Sequence, residues 1–273
     1  MTPGLARVVV ITGASDGIGA EMARQLAACE GAQVALVLAA RGAPLLDTVA
    51  GQCRALGAQT LSVTFDAGIQ DDCRRLVRAA MTRFGRIDVL INNAGRSAHA
   101  LFEEVDDLGW YEELMRVNLW GSIWCTQAVL PHLKDSRGSI VAVSSLAGLV
   151  GVPGRTAYCA TKFALSGFFE ALRVELAPSG VSVTVAYPGV VATRIRQRGF
   201  NARGEEAGVS ALKEEKAMPV EECARLILAA LDRRQREVVM TAPGKLGRWL
   251  KLIAPGVVDR MARNAVKDDL RAS

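Results

Sequence analysis

Arg7-Val8-Val9-Val10-Ile11-Thr12-Gly13-Ala14-Ser15-Asp16-Gly17-Ile18-Gly19 opens the chain with an unbroken β-branched run, followed by glycines at 13, 17 and 19. Such a run favours a strand buried on both faces. Gly13 permits a tight turn, while Gly17 and Gly19 let the backbone and the next helix approach a diphosphate and the sheet. The helix N-terminus then offers free N–H groups and the positive end of its dipole to phosphate. A structural turn is the plainer reading of the glycines alone. In a strand–turn–helix context the pattern predicts a dinucleotide site built from Gly13, Ser15, Asp16, Gly17, Ile18 and Gly19.

Outward from this unit the same rhythm continues. Strand-length apolar runs at 7–12, 33–40, 60–64, 87–91, 139–144, 182–186 and 237–241 alternate with helix-period segments at 17–29, 45–56, 71–84, 108–130, 156–176 and 220–230. That alternation predicts an α/β fold, a doubly wound parallel sheet with crossover helices. Gly57, Gly85, Gly138 and Gly180 fall where helices should end. No repeat or linker divides residues 1–273, so one domain is expected. Residues 194–218 interrupt the rhythm with a polar, glycine-bearing excursion of the kind that forms substrate lids.

Half of the 273 residues are apolar, enough for a substantial core. Six scattered cysteines with no C-x-x-C spacing, and only His99 and His132, argue against a disulfide framework or a metal cluster. The net charge of +5 invites a nucleic-acid reading, but the arginines are dispersed and no nucleic-acid-binding module is recognisable. No apolar run reaches the roughly 18 residues of a membrane span, and no signal peptide is visible. A cytoplasmic protein is expected.

The most chemically pointed residues lie in the middle of the chain. Lys162 follows Tyr158 by four positions, and Ser145 precedes Tyr158 by thirteen. A phenol titrates near 10 in water, but an ammonium one helical turn away shares its face and favours the phenolate. This predicts proton transfer to or from an oxygen while hydride moves on a nicotinamide. Strand alternation points only one of Ser144 and Ser145 toward such a site. Cys159, next to the tyrosine, points elsewhere on the helix and reads as packing. Trp110, Trp120 and Trp124 read as core or subunit contact.

Thr12-Gly13-x-x-x-Gly17-x-Gly19, Asn92-Asn93-Ala94-Gly95, Asn118, Ser145, Tyr158-x-x-x-Lys162 and Pro188-Gly189 together resemble the short-chain dehydrogenase/reductase family over residues 6 to about 193. The stretches Val143-Ser144-Ser145-Leu146-Ala147-Gly148 and Phe163-Ala164-Leu165-Ser166-Gly167-Phe168-Phe169 are most similar to its branch containing 11β-hydroxysteroid dehydrogenase and bacterial relatives. The resemblance implies a seven-stranded Rossmann sheet of order 3-2-1-4-5-6-7. It selects Ser145 over Ser144 and implies a catalytic set of Asn118, Ser145, Tyr158 and Lys162, with Asn118 holding a water that reprotonates Lys162. A satisfied polar residue that bends its helix is the other reading of Asn118. It also implies cofactor contacts from Asn93, Ala94, Gly95, Tyr158, Lys162, Pro188, Gly189, Val191 and Thr193, and from Asp66 to the adenine. Thr193 as a lid cap and Asp66 as a turn former remain alternatives.

At the end of the second predicted strand the chain carries Ala39-Ala40-Arg41 and no carboxylate. A carboxylate there would receive a ribose hydroxyl; a guanidinium suits a 2′-phosphate. NADP(H) is therefore expected over NAD(H), although Asp16 stands where NADP-preferring relatives often carry a basic residue. Leu146, Val150, Val152 and Pro153 suggest a pocket for a hydrophobic ketone or secondary alcohol, with a 3-oxoacyl-carrier reductase or an idle NADP(H)-binding regulator as alternatives. Arginines 194, 196, 198 and 203 read as a solvated loop rather than a site for an acidic group. A homodimer or homotetramer formed through the helix at 156–176 is expected. Leu246, Trp249, Leu250 and Ile253 share one face of a basic amphipathic segment in the 245–273 extension. It is expected to pack over the entrance or a neighbouring subunit rather than on a membrane.

Overall fold

The computed structural model describes residues 6–210, 212, 217–264 and 266. The remainder of the lid and of the extension expected from sequence lies outside the described residues. Seven strands form one parallel sheet: β1 (Arg7–Thr12), β2 (Val34–Ala40), β3 (Gln59–Thr64), β4 (Val89–Asn92), β5 (Ser139–Val143), β6 (Ser182–Tyr187) and β7 (Glu237–Val239). Their order is β3-β2-β1-β4-β5-β6-β7. Successive side chains point to opposite faces. Val8 and Val10 of β1 therefore enter one core layer, and Val9 and Ile11 the other.

Helices α1 (Gly17–Glu30), α2 (Ala43–Ala55) and α7 (Val220–Asp232) cover one face. On the other lie α3 (Gln70–Phe84), α5 (Gly121–Ser136) and α6 (Thr156–Leu176). A parallel sheet covered on both sides requires the continuous apolar strands seen here, with every residue of β2 buried. A 3₁₀ turn, Gly31–Gln33, follows α1 and delays the start of β2.

Two expectations change. The helix expected over 108–130 is α4 (Gly109–Met115), a π turn (Arg116–Trp120) and α5, which continues past Pro131 to Ser136. The π turn, centred on the buried Asn118, is a distortion that apolar periodicity does not reveal. Strand β7 stops at Val239, because Thr241 caps α8 (Ala242–Ile253) by accepting from Gly244 N at 3.1 Å. Helix α9 (Pro255–Asn264) follows.

Candidate active site

The carboxyl ends of β1 and β4 diverge to α-helices on opposite sides, and a cleft of about 570 Å³ runs along them. Sheets of this topology open their binding crevice at that switch point. Thr12 Oγ1 accepts from Asn93 N and Ala94 N, each at 3.0 Å, while Asn93 Nδ2 donates to Thr12 O and Gly13 O at 3.0 and 3.1 Å. These bonds bind the β4 loop to the glycine turn. Gly13 has a φ of 69°, and a β-carbon there would meet Ala94 Cα at 2.9 Å. At Gly19 a β-carbon would lie 2.3 Å from Gly13 O. Gly19 is thus buried beneath the turn rather than in the cleft wall, correcting its expected place among the contacts. Its small size serves helix–strand packing.

Asp16 caps α1, its Oδ1 accepting from Gly17 N at 2.8 Å. Its Oδ2 receives Arg194 Nη2 at 2.9 Å and Arg198 Nη1 at 3.1 Å. Ser15, Asp16, Gly17 and Ile18 line the cleft beside the α1 N-terminus. Arg41, exposed just beyond β2, lines its outer end. Asp66 also lines it, while its Oδ1 accepts from Gly68 N at 2.8 Å. The turn-forming reading of Asp66 is therefore realised, with the second carboxylate oxygen left over.

At the other end, β5 separates the two serines. Ser144 is buried and contacts Ser166 Oγ at 3.1 Å, tying β5 to α6. Ser145 lines the cleft, and Ala147 N donates to its Oγ at 3.2 Å. The hydroxyl hydrogen stays available for another acceptor. Tyr158 and Lys162 project from the first turns of α6 into the same wall, both buried. Lys162 Nζ donates to Val143 O at 2.9 Å and lies 5.7 Å from the Tyr158 ring centre. Burial pushes the Lys162 ammonium below its ordinary range; the Tyr158 charge opposes this and Arg155 adds to it.

Asn118 is not in the cleft wall. Its Oδ1 accepts from Arg96 N at 2.8 Å, and its Nδ2 donates to Arg96 O and Thr161 Oγ1, each at 3.0 Å. The side chain joins the β4 loop to α6 from within the π turn. The satisfied-polar alternative describes its side chain.

Ala94, Gly95, Pro188, Gly189, Val191 and Thr193 all line the cleft. Thr193 Cγ2 faces Gly17, where a β-carbon would come within 3.2 Å. Leu146, Val150 and Val152 line the apolar end. Pro153 does not: it is exposed, because the 151–154 turn directs alternate side chains in and out. The lid crosses above, pinned by a bridge between Ala98 and Phe200. Arg194 and Arg198 pair with Asp16, and Arg196 donates to Val191 O and Ser210 Oγ, while the side chains of Arg194 and Arg198 stay 57% and 43% exposed, so the solvated-loop reading stands beside these contacts. Trp110 is buried against Phe200, whereas Trp120 stacks on Trp124 and is 48% exposed.

Helices α8 and α9 close the apolar end, with Gly244, Gly247, Val258 and Met261 on the inside. Their outer side is bare, Leu252 being 76% and Ile253 82% exposed. The segment therefore closes the cleft, but not with the face expected to pack: Leu246, Trp249 and Ile253 are 59, 61 and 82% exposed. Burial raises the Cys159 thiol, consistent with packing. Among the described residues no helix is long and apolar enough to cross a membrane, and no cluster fit for a metal occurs.

Sequence reasoning missed Arg155, which is buried in the cleft wall with its Cζ 4.1 Å above the Tyr158 ring. Its spacing of three from Tyr158 at a helix start was a usable signal. It also missed His99, half-buried beside Gly154.

A dinucleotide suits this geometry. The glycine turn has no room for side chains, a helix N-terminus faces the cleft, and a cation stands at its outer end. Comparison with known proteins agrees. The profile described as short chain dehydrogenase matches residues 7–204. The chain is 38% identical over 266 residues to 11-beta-hydroxysteroid dehydrogenase A of Sesamum indicum, covering 94% of this chain and 74% of that one. It is 36% identical over 260 residues to 11-beta-hydroxysteroid dehydrogenase 1A of Arabidopsis thaliana, covering 93% and 73%. An alcohol dehydrogenase from Thermococcus sibiricus, solved with 5-hydroxy-NADP, superposes with a TM-score of 0.74 at 26% identity, over 86% of this chain and 95% of that one. A short-chain dehydrogenase from Streptomyces avermitilis gives 0.78 at 27% identity, over 92% and 94%.

Proposed function

The chain belongs to the short-chain dehydrogenase family, and from that premise we propose that it is an NADP(H)-dependent oxidoreductase interconverting a bulky hydrophobic ketone and its secondary alcohol. The observation that carries this reading is the convergence of Ser145, Tyr158 and Lys162 at the apolar end of a cleft whose far end is the glycine turn and Arg41. When bound, the nicotinamide supplies or accepts hydride at the carbonyl carbon. In reduction, Tyr158 gives its phenolic proton to the carbonyl oxygen. Ser145, whose Oγ already accepts from Ala147 N, donates to the same oxygen and stabilises charge developing there. Lys162, held by Val143 O, favours the resulting phenolate. In alcohol oxidation the phenolate is the base. Asn118 would hold the water that reprotonates Lys162, as the family resemblance implies, while its carboxamide fixes the β4 loop at Arg96.

Leu146, Val150, Val152, Val258 and Met261 supply apolar surface that suits a rigid hydrocarbon frame. This supports a hydroxysteroid-type substrate, as the names of the plant relatives also suggest. The engaged lid arginines weaken the 3-oxoacyl-carrier alternative. We further propose a single-domain cytoplasmic enzyme that forms homo-oligomers through α6, where Phe163 is exposed, beside the exposed Trp120 of the π turn. Sizing at micromolar concentration checks this; a monomer removes it. Flotation on liposomes, with and without residues 245–273, distinguishes lipid from a neighbouring subunit at the bare face of α8.

A panel of steroid, acyl-carrier and simple aromatic ketones, monitored by nicotinamide absorbance with NADPH and NADH, tests the main reading. Turnover of steroid-type ketones with NADPH is expected. Tight NADPH binding with silence on every ketone would instead establish an idle binder.

A further inference from the structure

Arg155 and Lys162 are two buried cations on either side of Tyr158, and among the described residues no carboxylate pairs with either. Burying a charge without a counter-ion is costly, so such groups normally have anionic or hydrogen-bonding partners. Lys162 has Val143 O. Arg155 Nη2 donates to Ser97 Oγ at 2.6 Å and its Nε donates to Ala98 O at 3.3 Å. Neither bond carries negative charge. The guanidinium carbon lies 4.1 Å over the Tyr158 ring, where the π face attracts a cation. The remaining ionisable acid at this point is the phenol itself, apart from Cys159, whose thiol burial pushes up.

We propose that Arg155 is a positioning residue for Tyr158: stacked on the ring and tied to Ser97 and Ala98, it holds the phenol toward the cleft and supplies a second positive charge favouring the phenolate. This rests on Tyr158 being the proton donor. Other charged or titratable groups near Arg155 are Lys162 on α6, the packed Cys159 thiol beside Tyr158, His99 on the 97–100 segment and Arg196 on the lid. Burial lowers the Arg155 guanidinium, and the Tyr158 charge is the first influence opposing it. The lid takes part as well. Phe200 N donates to Ser97 O at 2.9 Å, so the 97–100 segment that holds Arg155 is itself held by the lid.

The test is ultraviolet difference titration of the phenol, with Tyr158→Phe as the blank, on wild type, Arg155→Lys, Arg155→Met and Ser97→Ala. The pH profile of alcohol oxidation is measured alongside. In Arg155→Met, loss of the cation should move the rising limb of alcohol oxidation to higher pH, and the phenolate absorbance should appear later in the titration than in wild type. Arg155→Lys should restore part of the shift, and Ser97→Ala should give a smaller one. Unmoved titrations in variants that retain folding and NADPH binding would overturn the proposal. If Arg155→Met does not fold, the Arg155→Lys and Ser97→Ala titrations decide by the same criterion. Because the titration needs no substrate, it still reads this effect if the ketone panel fails and the functional reading falls.

Discussion

Asp16 Oδ2 accepts two hydrogen bonds from Arg194, from Nη2 at 2.9 Å and Nε at 3.2 Å, so the lid is fastened to the same residue that caps α1. Asn caps a helix about as well as Asp, so Asp16→Asn separates the two tasks. Exposed ion pairs contribute only about 0.2–1 kcal/mol each, and thermal stability should fall little. Cleavage by trypsin at Arg194 and Arg198 should rise severalfold. Unchanged cleavage would show that other contacts hold the lid.

Tyr158→Phe keeps the ring beneath Arg155 and removes only the transferable proton. Turnover should fall at least about a hundredfold, the usual scale of general acid catalysis, with NADPH affinity changed only a few fold. Near-normal activity would eliminate the proposed donor. Lys162→Met should impair both turnover and cofactor binding, because Lys162 lines the cleft proposed to receive the cofactor.

Arg41 follows β2 at the outer end of the cleft and is exposed. A hydrogen bond to a charged group contributes about 1.5–3 kcal/mol, so Arg41→Ala should weaken NADPH binding about ten- to a hundredfold. NADH binding should be nearly unchanged. Parallel isothermal titrations check this, and equal losses for both would remove Arg41 from 2′-phosphate recognition.

Burial, followed by the nearby Arg155 charge, lowers the His99 pKa from 6.5 to about 4. The folded ring is neutral where the unfolded ring is protonated, so the unfolded state binds more protons in that window. Stability is complete above pH 6.5 and is lost as pH falls toward 4. After allowance for partial solvent screening the loss is about 1–2 kcal/mol. His99→Gln should flatten this segment of the melting-temperature profile. A variant that keeps the wild-type slope would assign it to another group.

Much of this was legible in the chain because it is local. The β-branched run at 7–12 and the glycines after it specify a strand, a turn and a helix start through sterics alone. The four-residue spacing of Tyr158 and Lys162 puts both on one helix face wherever the helix lies. The resemblance supplied the sheet order, which local patterning does not encode. Element ends shifted where a side chain competed for the backbone, as Thr241 does by capping α8.

What only the tertiary structure decided are contacts between distant segments. Pro153 pointed outward, the Asn118 carboxamide bonded Arg96 and Thr161 from the π turn, and the arginines at 194 and 198 paired with Asp16 while staying partly exposed. Arg155 acquired meaning only when Ser97, far away in sequence, folded beneath the lid to hold it over the phenol. Local sterics and hydrogen bonding act within a few residues and leave a periodic trace. Burial and charge pairing depend on which segments become neighbours, and that is settled when the sheet and its covering layers close.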